Sequence, residues 1–122
     1  SEVIRMGKPT TLDGRIKAEA ARLAKNFEQI EAKRKSTTQG LIHRAAFMRI
    51  SLEDLEKELN ENGFTELFSQ GDQEPYLRER PTSKIYNSLN ANYQKIIKQL
   101  TDLLPKEEPE RDGGGGDDFD NF

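Results

Sequence analysis

The sequence predicts a mainly α-helical fold, a small helical domain of about four helices with a long helix towards its end. Two stretches, 12–34 and 81–104, carry apolar residues at steps of three and four, which is the spacing of one helix face. Hydrophobic residues (33%) do not outnumber charged residues (34%), and the 122 residues include no Trp and no Cys. So lean a composition is typical of helical proteins that complete their burial by self-association.

Three segments are expected along the chain. Residues 1–11 show no periodicity and are predicted to form a flexible N-terminal arm. Residues 12–105 are predicted to form the helical domain. Residues 106–122 hold seven acids, two bases and four glycines, so they are predicted to be a disordered acidic tail that cannot offset the entropy lost on ordering. Phe119 and Phe122 stand among its acids in the manner of a short docking motif.

The first helix is predicted from Leu12 to about Arg34, within a basic front half. Residues 1–50 hold 11 Lys/Arg and 5 Asp/Glu, a net charge of +6. Basic residues beside the apolar stripe of this helix, and in the turn after it, are the candidates for contact with phosphates: Arg15, Arg22, Lys25, Lys33, Arg34 and Lys35. An ordinary solvated helix face is the alternative interpretation of the same pattern.

The middle of the chain is predicted to contain two short helices. Residues 41–50 are apolar on nearly every side, which predicts a buried helix with His43 as a structural residue. Ser51 offers a cap for a new helix, and Gly63 offers its stop. Such a pair resembles a helix-turn-helix, but its second helix is acidic and would be repelled by a DNA groove.

A long last helix follows an irregular segment. Residues 64–80 contain Gly and Pro, and a short β-hairpin at 66–79 or a loop both fit them. Pro81 suits the first turn of the last helix, and Pro105 ends it. The apolar stripe of this helix is the predicted oligomer interface, made of Ile85, Leu89, Tyr93, Ile96, Leu100 and Leu103.

The sequence offers no converging groups for catalysis. His43 is the only histidine, and there is no Cys to act as a nucleophile or a metal ligand. We therefore expect no enzyme activity, no cofactor and no metal site. No apolar run approaches the roughly 18 residues of a membrane span, so we expect a soluble intracellular protein without a membrane partner.

Taken together, the segments resemble the small terminase subunits of tailed bacteriophages and prophages. The resemblance covers roughly residues 12–105 and depends on the order of the segments rather than on one motif. The residues that carry it are Ala45-Ala46-Phe47, Leu52-Glu53, Gly63, Pro81, Ile85-Tyr86-Asn87, Tyr93 and the run from Ile97 to Pro105.

This resemblance implies a non-catalytic component of a genome-packaging motor. Proteins of this family form rings of identical subunits, bind double-stranded viral DNA at the packaging site, and serve a large terminase subunit that holds the ATPase and nuclease. We expect the same here, in the cytoplasm of a bacterial host, with Phe119 and Phe122 docking on the large subunit. The alternative is a helical adaptor or regulatory protein that binds other proteins and no DNA.

Overall fold

The computed structural model describes residues 11–106, which form a mainly helical structure with one small sheet. The predicted arm, apart from Thr11, and the tail from 107 onward lie outside the described residues. The mainly α class is confirmed, although the described part has three α-helices instead of four. In chain order the elements are α1 (Leu12–Asn26), a 3-10 helix (Ala32–Arg34), α2 (Lys35–Asn62), β1 (Thr65–Phe68), β2 (Tyr76–Glu79) and α3 (Pro81–Leu103).

Helix α2 is continuous, so the predicted joint at Ser51 is wrong. Ser51 lies half-buried in the middle of a 28-residue helix. A serine inside a helix costs only a few tenths of a kcal/mol, and burial on either side of it outweighs that cost. Ile50 and Leu52 are both buried because α1 and α3 both pack on α2. The apolar residues on several sides therefore reflect one helix with two neighbours.

Helix α1 is shorter than predicted and lies antiparallel to α2. The Thr11 hydroxyl caps its start by accepting a hydrogen bond from the Gly14 N–H at 3.0 Å. The helix ends at Asn26, and the chain then turns so that Ile30 joins the core. Lys33 therefore stands in the 3-10 helix and not on α1. The prediction of one helix to Arg34 is wrong because burying Ile30 beside α2 requires the turn.

Helix α3 has the predicted bounds and is also antiparallel to α2. Pro81 occupies its first turn, and the extended backbone of Leu104, which precedes a proline, ends it. Near its start the Tyr86 hydroxyl donates to Glu56 Oε2 of α2 at 2.8 Å. Near its end Leu100 is fully buried in the core.

The core lies where the three helices meet, with α2 in the middle. Its buried members are Leu23, Ile30, Ile42, Ala45, Ala46 and Leu100. The two alanines let neighbouring helices approach α2 closely. One side of α2 stays uncovered, and there His43 is exposed and Phe47 keeps 51% of its surface. The prediction of a fully buried helix with a structural histidine is therefore wrong for this side.

Of the two alternatives for residues 64–80, the β-hairpin is the one observed, and it makes few contacts with the helices. Its antiparallel strands pair Glu66 with Arg78 and Phe68 with Tyr76 on one face. Arg78 Nε donates to Glu66 Oε2 at 2.6 Å, and its guanidinium carbon lies 3.6 Å from the Phe68 ring centroid. The opposite face presents the pair Leu67 and Leu77 to solvent.

Candidate nucleic-acid interface

Basic side chains collect where α2 begins. Lys33 and Arg34 belong to the 3-10 helix, and Lys35 is the first residue of α2. Lys25 lies in the last turn of α1, beside a groove that Ala24 and Lys35 both line. We call these four residues, Lys25, Lys33, Arg34 and Lys35, the basic end.

The basic end is not neutralised by its neighbours. Lys33 Nζ is 3.8 Å and Arg34 Nε is 3.9 Å from Glu31 Oε1. These side chains are 78% and 49% exposed, so the ion pairs are screened by solvent and contribute little. Within residues 11–106, Lys25 and Lys35 make no ion pair. The cations therefore remain free to contact phosphates.

Arg15 and Arg22, by contrast, are engaged within the chain. Arg15 Nη1 donates to Asp54 Oδ1 at 2.9 Å, and its Nη2 donates to Glu53 Oε1 at 3.4 Å. Arg22 donates to both oxygens of Glu19, at 2.9 and 2.6 Å. The hydrogen bonds from these two arginines, to Asp54 and to Glu19 respectively, raise their pKa values further. At the predicted DNA-binding residues Arg15 and Arg22, a phosphate would therefore have to compete with carboxylates of the chain.

The charges on α2 run against the helix dipole. Residues 35–50 include two arginines and Lys35 without an acid, whereas residues 51–62 include five acids and one lysine. A helix N-terminus carries about half a positive charge, so a cation in the first turn, here Lys35, and an anion in the last turn, here Glu61, are each unfavourable by about 0.3–1 kcal/mol. This arrangement lowers helix stability and strengthens the positive potential at the basic end.

An apolar groove adjoins the basic end. It has a volume of about 470 Å³ and lies between the end of α1 and the start of α2. Five apolar residues line it (Ala24, Phe27, Ile30, Ala32 and Ile42), together with the polar or charged Glu28, Lys35, Thr38 and Gln39.

The predicted oligomer interface is revised because much of it faces the chain's own core. Leu100 is fully buried and cannot meet a partner. Tyr93, Ile96 and Leu103 are half-buried against the same core. From the predicted stripe, Ile85 is 57% exposed and Leu89 is half-exposed, so these two remain candidates for contact with another subunit. Phe119 and Phe122 lie outside the described residues.

The structure adds an apolar surface that sequence analysis missed. Leu67 and Leu77 are each 68% exposed and face each other across the hairpin. Of the seven large hydrophobic residues exposed within residues 11–106, six lie on the hairpin, beside it or at the helix ends next to it: Leu12, Phe64, Leu67, Tyr76, Leu77 and Ile85. Neither strand, TELF or YLRE, alternates between apolar and polar residues, so the face that Leu67 and Leu77 share follows only from the register of the two strands.

The basic end and the hairpin end are far apart. They lie at opposite ends of α2, whose 28 residues span about 42 Å. A large ligand can therefore occupy one end without covering the other.

Two kinds of site are not found in the described part of the chain. No three His, Cys, Asp or Glu side chains within residues 11–106 are grouped so that they could hold a metal ion. None of the described helices combines the length and apolar character needed to cross a bilayer.

Comparisons of the chain with models of protein families, with curated proteins and with solved structures find no match.

Proposed function

We propose that this chain is a small terminase subunit, the DNA-recognition component of a phage genome-packaging motor. In this proposal it is not an enzyme: it binds double-stranded viral DNA as a ring-like homo-oligomer and recruits a large terminase subunit that holds the ATPase and nuclease. Its place is the cytoplasm of a bacterial host. The resemblance described above suggests this identity, and the charge distribution on the structure supports it.

The basic end is the observation that carries the proposal. Three of its exposed cations lie at or just before the positive terminus of α2, and the fourth, Lys25, lies in the last turn of α1. The only acid paired with any of them, within the described residues, is held at 3.8–3.9 Å. Contacts of this kind recognise the phosphate backbone and the shape of DNA, not base edges. The acidic half of α2 and the hairpin point to protein contacts at the other end.

Salt dependence of duplex binding tests the DNA part of the proposal. Each phosphate contact made by a cation releases counterions, so the logarithm of the binding constant should fall linearly with the logarithm of KCl concentration. With four contacts the slope is about −3.6. A chain that binds no duplex DNA at 50 mM KCl would contradict the proposal.

A helical adaptor that binds no DNA is the second candidate, and two observations favour it. Arg15 and Arg22 are already paired with acids of the chain. The exposed Leu67 and Leu77 suit a protein partner better than a nucleic acid. This candidate would be selected if duplex DNA showed no binding at any KCl concentration and the chain formed a stable complex with a protein from the same genome.

A further inference from the structure

We infer that the apolar groove beside the basic end is a docking site for the chain's own acidic segment 107–122, with Phe119 and Phe122 as its anchors. The part of this inference in which docking regulates DNA binding rests on the proposed function. The part in which the segment occupies the groove is independent of it.

The groove has the chemistry that such a segment requires. Phe27, Ile30 and Ile42 supply apolar walls, Ala24 leaves room for a ring, and Lys35 adds a positive charge to the lining. The Phe27 side chain is half-buried and lacks a full set of neighbours, so a second aromatic ring would cover it.

The charges of the two segments are complementary. Residues 22–35, which run from α1 through the basic end, hold five basic and two acidic residues, a net of +3. Residues 106–122 hold two basic and seven acidic residues, a net of −5. Opposite potentials draw the acidic segment to this end of the molecule, and the aromatic rings fix its position.

The acidic segment also begins near the groove. Leu103 and Leu104, just before it, pack on the core cluster that contains Ile30 and Ile42, and these two residues are also walls of the groove. Twelve residues lie between Lys106 and Phe119. A chain of that length spans about 20 Å on average, which suffices to go around the end of one helix.

Docking would place seven acids over the lysines that are proposed to meet phosphates. Duplex DNA and the acidic segment then compete for the basic end. If the segment is docked in about nine molecules of ten, the apparent affinity for DNA is about tenfold lower than that of the open form. A large subunit that captures Phe119 and Phe122 would release the basic end.

Tryptophan fluorescence tests the docking without DNA. The chain has no Trp, so a Phe122→Trp variant carries a single reporter. The control is the same variant with Ala24→Glu added, which changes an exposed groove residue and leaves the core intact. We expect the Phe122→Trp protein to emit at a shorter wavelength than this control and to be quenched less by acrylamide. Equal emission and equal quenching in the two proteins would overturn the inference. A blue shift that vanishes on dilution would assign the groove to a second copy and would also overturn it.

DNA binding tests the regulation, with charge held constant. Changing Phe119→Ser and Phe122→Ser should raise the affinity for a duplex about tenfold at 150 mM KCl, because the open form becomes dominant. Asp117→Asn with Asp118→Asn is the control for charge. If only this control raised the affinity, the segment would act through charge alone and the docking role of the rings would be refuted. A chain that binds no DNA but still shows the groove-dependent emission would refute the proposed function and retain the docking.

Discussion

Arg80 joins the hairpin to the helices through one guanidinium group. Its Nη1 donates to Glu58 Oε1 at 3.0 Å and to the Gly63 carbonyl at 2.8 Å, and its Nη2 donates to Glu58 Oε2. Its backbone N–H also donates to the Phe64 carbonyl at 2.9 Å. Because the hairpin packs little on the helices, this residue holds the hairpin base against the end of α2.

The Glu58 carboxylate should give this junction a dependence on pH. The hydrogen bond from Arg80 lowers the pKa of Glu58 below its ordinary value. A lowered folded-state pKa contributes stability that is present above the unfolded pKa of about 4.3 and is lost as pH falls through the folded pKa. We expect Glu58→Gln to lower the Tm at pH 7 and to flatten the fall of Tm below pH 4. Glu61→Gln, whose oxygen lies 3.8 Å from Lys57, is the control and should change neither.

Individual cations should differ in their share of DNA binding. Lys33→Gln with Lys35→Gln removes two exposed positive charges at the basic end, so we expect the salt slope to become shallower by about 1.8. Arg15→Gln with Arg22→Gln should change it less, because carboxylates already hold both side chains. Titrations of one duplex at several KCl concentrations measure both slopes. If Arg15→Gln with Arg22→Gln changed the slope more, the DNA surface would be the side of α1 that carries these two arginines.

At the scale of elements, the end of α2 depends on one glycine. Gly63 has φ 86° and ψ 174°, a backbone conformation that is essentially restricted to glycine, and its N–H donates to the Leu59 carbonyl at 2.7 Å. This conformation turns the chain out of α2 and into β1. Gly40, inside α2, has no such requirement.

The two glycines provide a matched pair of substitutions. Gly63→Ala should lower the free energy of unfolding by about 1–3 kcal/mol, because alanine is strained at this φ and ψ. Gly40→Ala should raise it by up to about 1 kcal/mol, because alanine favours the helix and the added methyl meets open space. Urea denaturation followed by circular dichroism measures both. A destabilised Gly40→Ala protein would mean that this part of α2 is in contact with another molecule.

At the scale of the whole molecule, the two ends have different chemistry. The start of α2 is basic, and the hairpin end is acidic and carries most of the exposed apolar side chains. The proposed function uses this separation, with DNA at one end and other protein surfaces at the other.

Self-association should therefore depend on exposed residues near the hairpin end and not on the buried part of α3. We expect a native mass several times 13.9 kDa, and we expect Ile85→Asp with Leu89→Asp to reduce it while leaving helix content unchanged. Lys95→Glu, an exposed change on the same helix, is the control. Leu100→Ala should instead lower the free energy of unfolding by about 2–5 kcal/mol, because it leaves a cavity in the core. Light scattering that reports a monomer for the parent chain would contradict the ring.

Local signals in the sequence determined much of the helical structure. The period of apolar residues predicted α3, and the prolines at 81 and 105 predicted its bounds, because proline restricts its own backbone and that of the residue before it. Gly63 predicted the end of α2, because glycine adopts a positive φ without a steric cost, whereas the segment after it fitted either a hairpin or a loop. Such signals act within a few residues, so they can be read without knowing the fold.

Tertiary structure alone decided which helix faces stay exposed to solvent and which charged side chains are paired within the chain. Ser51 continues a helix because neighbours cover α2 on two sides, and Leu100 turns inward because α2 lies beside it. Arg15 meets Glu53 and Asp54, 38 and 39 residues away, so its free charge could not be judged from α1 alone. Contacts between residues distant in the chain depend on how the helices pack, and helical periodicity carries no information about which helix covers which face.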